Sequence, residues 1–168
     1  HPEMGFLENR TAAKMAAELK AAGLEVTTGV GKTGVVGMLR NGKGPTILIR
    51  ADMDGLPVEE KSGLPYASRA KQIGVDGKEY PTMHACGHDV HTAMLCGAAS
   101  VLSELRAELP GSVVFYFQPA EEGPDPKEGG GAAMMLEQGA PLVAPIPISF
   151  TRKDGVASLL IRLREIKD

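Results

Sequence analysis

The sequence has no tryptophan, only two cysteines, and few aromatic residues, which make up 4% of its 168 positions. Two cysteines are too few for a disulfide framework, so we expect a reducing compartment and a cytoplasmic protein. Neither sign of charge is in large excess, because the formal net charge is −3 and the pI is near 5.8. This balance excludes the basic surface with which proteins bind nucleic acid or an acidic membrane.

Long hydrophobic runs are also missing. The longest apolar stretches are strand-like pieces such as 113–117, far below the roughly 20 residues that a spanning helix needs. The first residues, His1–Glu3, lack the charged start and apolar stretch of a signal peptide, and without an initial Met we expect part of the natural N-terminus to be absent. With 43% apolar and 23% charged residues, the composition predicts a soluble globular chain with one hydrophobic core.

Apolar periodicity and turn residues predict an α/β layered domain. A helix is expected over 12–22, with Thr11 as its N-cap and Gly23 after its last turn. The further predicted elements are strands 24–28, 34–39 and 46–50, a polar loop over 58–82, a helix over 88–105, a strand over 112–118 and a helix over 129–138. The strand at 46–50 is almost continuously apolar, so we expect it to be buried on both faces, with 112–118 as a second buried strand.

Histidine is scarce but clustered. Three of the four histidines fall within the segment Met83–His91, and Cys86 lies among them. Only Gly87 separates Cys86 from His88, and a glycine can bend the chain so that both side chains turn toward one ion. A lone buried cysteine is usually a small hydrophobe, but the neighbouring histidine favours a metal ligand.

The other residues of this region have competing interpretations. His84 and His91 could bind metal or substrate, or could be surface or supporting residues, and the sequence leaves both open. Cys96 lies among apolar residues of the predicted helix, so we expect it to fill the core.

Pairs of carboxylates follow two of the apolar strands. Asp52 and Asp54 come after the strand at 46–50, and Glu121 and Glu122 come after the strand at 112–118. Functional groups collect outside the carboxyl ends of strands in open α/β sheets. If these ends meet beside the Cys/His segment, thiolate, imidazole and carboxylates share one crevice, a mixture that suits zinc better than magnesium or calcium.

The spacing of the carboxylates suggests a division of roles. Glu121 and Glu122 are adjacent at a strand end, where neighbouring side chains point to opposite sides. We therefore expect one to bind metal and the other to face the reacting water, whose proton it would pass to a leaving amine. Asp54 is a candidate acceptor for the second nitrogen of His88. The alternatives are turn or cap roles for Asp52 and Asp54, and a solvated turn for the glutamates.

Four stretches together resemble one zinc-peptidase family, the aminoacylase/carboxypeptidase superfamily, in the branch of hippurate hydrolases, N-acyl-amino-acid amidohydrolases and auxin-conjugate hydrolases. They are His1–Glu3, Arg50–Pro57, Met83–Met94 and Gln118–Gly123, collinear over residues 1 to about 139. The resemblance implies an α/β catalytic domain with a mixed sheet flanked by helices. It also implies two metal ions, commonly zinc or manganese, and hydrolysis of the amide bond of N-acyl amino acids or small peptides.

The resemblance implies a role for each matched residue. Cys86 would bridge the two metals, and His88 would be a ligand of one of them. Glu121 would be the general base and Glu122 a metal ligand, while Asp54 would support the metal-binding histidine.

After residue 139 the sequence departs from the family pattern. Two further histidine ligands of the family have no counterpart here, and its smaller lid domain has no room in 168 residues. We therefore expect a partial metallopeptidase-like catalytic domain over 1–139 and an atypical tail over 140–168, with strand or loop followed by an amphipathic helix over 156–166.

The missing ligands leave an alternative function open, a truncated metal-binding domain without catalysis. A thiol redox role for Cys86 is disfavoured, because no Cys-x-x-Cys pair is present.

Overall fold

The computed structural model describes residues 1–122 and 129–138, and the backbone of two strands at 149–153 and 156–160. The elements in chain order are α1 (Asn9–Ala21), β1 (Glu25–Val30), β2 (Gly34–Leu39), β3 (Thr46–Asp52), β4 (Lys71–Ile73), β5 (Glu79–Pro81), α2 (His88–Glu104), a 3₁₀ helix (Arg106–Glu108), β6 (Ser112–Gln118), α3 (Gly131–Glu137), β7 (Ser149–Lys153) and β8 (Val156–Leu160). Four of these strands form a mixed sheet flanked by helices, which confirms the predicted fold class, and the others form two two-stranded sheets. None of the helices within these ranges is long and apolar enough to cross a membrane.

The main sheet has four strands in the order β1-β2-β6-β3. The central strand β6 pairs antiparallel with β2 and parallel with β3. Residues 113–118 of β6 are all buried, which confirms the second buried strand. The prediction for β3 is wrong, because β3 lies at the edge of this sheet among the described strands and Thr46–Ile49 are only half-buried. A continuous apolar run does not by itself distinguish an edge strand from a central one.

Helices cover both faces of this sheet. Helix α1 packs on β1 and β2, α2 packs on β3 and β6, and the two helices contact each other on the same face. Phe115 and Phe117 of β6 belong to the core beneath them. Tyr116, the residue between, packs against Met135 of α3 on the opposite face. The switch from face to face follows the two-residue period of a strand.

Helix α1 begins earlier than predicted, and Thr11 is not its N-cap. The Glu3 carboxylate accepts hydrogen bonds from the backbone N–H groups of Arg10 and Thr11 at 3.0 and 2.7 Å. A side chain from outside the helix therefore satisfies the free N–H groups of the first turn, and the local sequence does not reveal this. Gly23, at φ +79°, follows the helix where the sequence predicts it.

The polar stretch 58–82, predicted as a loop, contains the two-stranded hairpin β4–β5. Gln72 of this hairpin holds it against the N-terminal segment. Its side chain accepts a hydrogen bond from the Met4 N–H at 2.7 Å and donates one to the Leu7 carbonyl at 3.1 Å. These contacts span more than 60 residues of sequence, which is why local composition does not predict the hairpin.

The tail also differs from its prediction. Val156–Leu160 form strand β8, antiparallel to β7, where the sequence predicts the start of a helix. A short apolar run is compatible with either structure, and pairing with a second segment decides between them. The rest of the predicted helix, 161–166, lies outside the described residues.

The position of the core leads to a stability prediction for Phe115, which is 0% exposed in the central strand. Replacing it by Ala should lower the free energy of unfolding by about 3–5 kcal/mol, because apolar burial is lost and a cavity remains. Urea denaturation followed by circular dichroism measures this change. Val75→Ala, at a side chain that is 86% exposed, is the control and should change stability by less than about 0.5 kcal/mol. Equal losses for the two variants would contradict this core.

Candidate metal centre

Three segments meet at the carboxyl edge of β3 and β6. Because these neighbouring strands are parallel, the residues after Asp52 and after Gln118 leave the sheet on the same side. A bridge between Leu56 and Met83 brings the segment before α2 to the same place. The strand ends and the Cys/His segment therefore do lie together, as the sequence predicts.

His88 is the first residue of α2 and is only 4% exposed. Its Nδ1 lies 2.8 Å from the backbone carbonyl oxygen of Asp54 and 3.4 Å from Oδ1 of the same residue. A carbonyl oxygen can only accept, so Nδ1 carries the proton and Nε2 offers its lone pair. Asp54 thus contacts the histidine nitrogen that the sequence suggests, but its main-chain oxygen makes the shorter contact.

The Asp54 side chain connects this histidine to the segment after β6. Asp54 is 1% exposed, and its Oδ2 accepts a hydrogen bond from the backbone N–H of Glu122 at 2.8 Å. Its Oδ1 is buried and has no hydrogen-bond partner among the described residues. One residue therefore fixes both the ring of His88 and the backbone of Glu122.

Glu121 and Glu122 lie in a turn beyond the strand, which ends at Gln118. Ala120 in this turn has φ +43°. One ligand atom from each of His88, Glu121 and Glu122 lies within 4.8 Å of the others. The Nε2 of His88 is 3.9 Å from Glu121 Oε2. The prediction that the glutamates point to opposite sides is therefore wrong, because strand alternation does not extend into the turn.

Cys86 is exposed and lies beside the same turn. A hydrogen bond to Glu122 and the negative charges of the neighbouring carboxylates raise the pKa of the Cys86 thiol. Gly87, at φ +79°, makes the bend predicted between Cys86 and His88. Within the described part of the chain, Cys86 is not a member of a three-residue ligand group, so it adjoins His88, Glu121 and Glu122 without joining them at 4.8 Å.

A second group of possible ligands shares His88. It contains Asp52 and the exposed His91, whose ring centroid is 5.5 Å from that of His88. Asp52 is 7% exposed, and burial raises the pKa of its carboxyl against the effect of Arg50, whose Nη2 lies 3.3 Å from Oδ2. Because His88 has only one free ring nitrogen, the two groups are alternatives. No sequence pattern links Asp52 to His91, although the i, i+3 spacing of His88 and His91 places both histidines on one helix face.

His84 and Cys96 are members of neither group. His84 is half-buried, burial lowers its pKa, and its buried Nδ1 has no hydrogen-bond partner among the described residues. Cys96 is partly buried and packs against the core, as predicted, with its sulfur 3.3 Å from Met15 Sδ, and burial raises the pKa of Cys96 to about 11.

The donors at this edge fit a divalent metal ion. They combine an imidazole nitrogen, carboxylates and a neighbouring thiol, the mixture that zinc and similar metals prefer. Asp52 and Asp54 each bury a carboxylate oxygen without a hydrogen-bond partner among the described residues. Buried anionic groups are costly unless a positive charge or a donor faces them, so a cation at this edge would lower that cost.

An α/β domain that presents these ligand atoms at one edge of its sheet is typical of metal-binding proteins. The chain belongs to peptidase family M20/M25/M40, whose model matches residues 48–161. This match confirms the resemblance stated above. It includes all the candidate ligands and continues past residue 139, where the motif resemblance ends.

Similarity to individual relatives supports the assignment to this family. N-acetylcysteine deacetylase of Bacillus subtilis is 45% identical over 141 residues, which are 83% of this chain and 33% of the relative. Hippurate hydrolase of Campylobacter jejuni is 45% identical over 140 residues, 83% of this chain and 32% of the relative. The solved Bacillus subtilis YXEP protein, a dinuclear metal binding peptidase from the M20 family, matches with a TM-score of 0.63 and 44% identity over 72% of this chain and 32% of that chain. The chain spans about a third of the length of these relatives.

The contact between Cys86 and Glu122 leads to a pH-dependent prediction for the metal-free protein. The raised pKa keeps the thiol protonated, so alkylation by iodoacetamide should become fast only above the usual range of a cysteine. Glu122→Gln removes the negative charge that raises this pKa. The midpoint of the rate-against-pH profile should therefore move to lower pH, with severalfold faster alkylation at pH 8.

A Cys96→Ala background keeps the second thiol out of this measurement. Glu104→Gln, at an exposed position near the end of α2, is the control and should leave the profile in place. An unchanged midpoint in Glu122→Gln would show that Glu122 does not act on Cys86.

Proposed function

We propose that this chain is the metal-binding part of a hydrolase that cleaves the amide bond of N-acyl amino acids or small peptides. The convergence of His88, Glu121 and Glu122 within 4.8 Å carries this proposal. Membership of a peptidase family supports amide hydrolysis. The names of the two relatives support the substrate class, because N-acetylcysteine and hippurate are both N-acyl amino acids.

Cys86, His88 and Glu122 are the proposed ligands, and zinc or manganese is the proposed metal. A divalent ion held there supplies a Lewis acid that polarises the amide carbonyl and makes a water molecule easier to deprotonate. The family resemblance implies two ions and two further histidines. Since the sequence contains no histidine after His91, we expect this chain alone to bind fewer than two.

The two glutamates have different proposed roles because their surroundings differ. The Glu121 side chain is 41% exposed and lies beside His88. An exposed carboxylate in this position can take a proton from water and pass it to the leaving amine, so Glu121 is the proposed general base. Glu122 is half-buried, and Asp54 holds its backbone N–H. This anchoring suits a fixed ligand.

Asp54 is the proposed support of the centre. It contacts His88 through its carbonyl oxygen and Glu122 through Oδ2, so it orients two ligands at once. The division into a partial catalytic domain over 1–139 and a tail over 140–168 stays a prediction, as does the cytoplasmic location. The family match to residue 161 supports including part of the tail in the family region.

Metal binding tests the ligand set first. Protein purified without chelator and loaded with zinc should hold about one ion per chain by elemental analysis. Cys86→Ala should lose most of this zinc, because a thiolate is a strong zinc ligand. Cys96→Ala is the matched control and should retain the zinc, since Cys96 packs against the core, outside both ligand groups. Equal zinc contents in the two variants would remove Cys86 from the ligand set.

Turnover tests the proposed base. With added zinc or manganese, the chain should hydrolyse hippurate or N-acetylcysteine, and Glu121→Gln should lower kcat by about 10²–10⁴-fold with the bound metal retained. Glu104→Gln is the control and should keep the wild-type rate. A metal-loaded wild type no faster than Glu121→Gln would instead favour the alternative, a metal-binding domain without catalysis.

A further inference from the structure

Glu8 is a buried carboxylate that the proposed reaction does not use. It precedes α1 and is 0% exposed, yet its side chain does not cap its own helix. Oε1 accepts a hydrogen bond from the backbone N–H of Ala120 at 2.8 Å, and Oε2 accepts one from the Thr33 hydroxyl. Glu8 therefore joins the start of α1 to the segment that follows the central strand.

Ala120 is the residue immediately before the two glutamates of the metal centre. Its φ of +43° lies in the left-handed region, which residues other than glycine rarely adopt. Ala120 is also 1% exposed, so water cannot replace a partner of its N–H. Without the Glu8 oxygen, the buried N–H of Ala120 would have no partner at a residue whose backbone is already strained. Rotation of the backbone at Ala120 would then relieve the strain and free the N–H to find another partner.

The other contacts of the turn hold different atoms. The Gly131 N–H donates to the Ala120 carbonyl at 3.2 Å, and Asp54 Oδ2 holds the Glu122 N–H. Gly5 packs so closely that a Cβ there would lie 3.0 Å from Ala120 Cα. Among the described residues, Glu8 provides the side chain that accepts a hydrogen bond from the Ala120 N–H.

We propose that Glu8 is a positioning residue of the metal centre, which directs Glu121 and Glu122 toward His88 by holding the Ala120 N–H. This inference rests on the proposed function. Glu8 acts through the backbone and touches neither metal nor substrate. A carboxylate suits the position because the Thr33 hydroxyl and the Ala120 N–H both donate to it and each of its oxygens accepts.

Two substitutions separate this hydrogen bond from packing. Glu8→Gln keeps an oxygen for the Ala120 N–H and can turn its NH₂ group to the Thr33 oxygen. Glu8→Met has a similar length and offers no acceptor. Zinc affinity of the whole chain, measured by competition with a chromophoric chelator, should fall about 10–100-fold in Glu8→Met and stay near wild type in Glu8→Gln. Amide exchange of Ala120, followed by NMR, should accelerate only in Glu8→Met.

Glu3→Ala is the control for a merely structural effect, because Glu3 stabilises the first turn of α1 without contacting Ala120. It should lower the thermal midpoint and leave zinc affinity unchanged. Wild-type zinc affinity in Glu8→Met, or an equal loss in Glu3→Ala, would overturn the positioning role.

The outcomes also separate this inference from the proposed function. If the wild type binds no zinc, the proposed function fails, and equal Ala120 protection in the wild type and Glu8→Met would overturn the role of Glu8 as well. Should Glu8→Met not fold, Glu8→Gln decides. If Glu8→Gln keeps both the slow amide exchange of Ala120 and the zinc affinity, the positioning role is supported. If it keeps the slow exchange but loses most of the zinc affinity, the role is overturned.

Discussion

The ladder between the parallel strands β3 and β6 ends with Asp52 opposite Gln118. This register places the residues after both strands side by side, and the contact between Asp54 and Glu122 depends on it. The hydrophobic core fixes the register, because a slip of one residue would turn every side chain of β6 to the other face. It would also shift the strands by about 3.3 Å, more than a hydrogen bond tolerates. The candidate metal centre therefore depends on the packing of β6.

Buried carboxylates then hold the backbone at this edge. Asp54 and Glu8 each accept a hydrogen bond from a backbone N–H in the turn after β6. Burial raises the pKa of Glu8, and the hydrogen bonds from Thr33 and Ala120 oppose that effect. The Ala120 N–H of the turn thus offsets part of the cost that burial imposes on the charged form of Glu8. Because both acceptors belong to segments far away in sequence, the turn forms its native shape only when the domain is folded.

The sequence predicts well those features whose causes are local. The bounds of β2 and β6 agree with the prediction, because glycine turns and apolar runs define these strands by themselves. Gly87 also makes the expected bend between Cys86 and His88, with a φ of +79°. Sequence patterns do not reveal features that depend on contacts with another segment, such as the cap that Glu3 provides, the edge position of β3 and the pairing of 156–160 with 149–153. In each case a contact with another segment, which local composition does not contain, decides the structure.

The glutamate pair shows how such an error bears on chemistry. Strand alternation would separate Glu121 from Glu122, and each role would then follow from the direction of its side chain. The left-handed Ala120 instead brings both carboxylates to His88, so direction no longer distinguishes them. What distinguishes them is constraint, since the backbone of Glu122 is held by Asp54 and its side chain bonds Cys86, while Glu121 remains exposed. A fixed carboxylate suits a ligand, and an exposed one suits proton transfer.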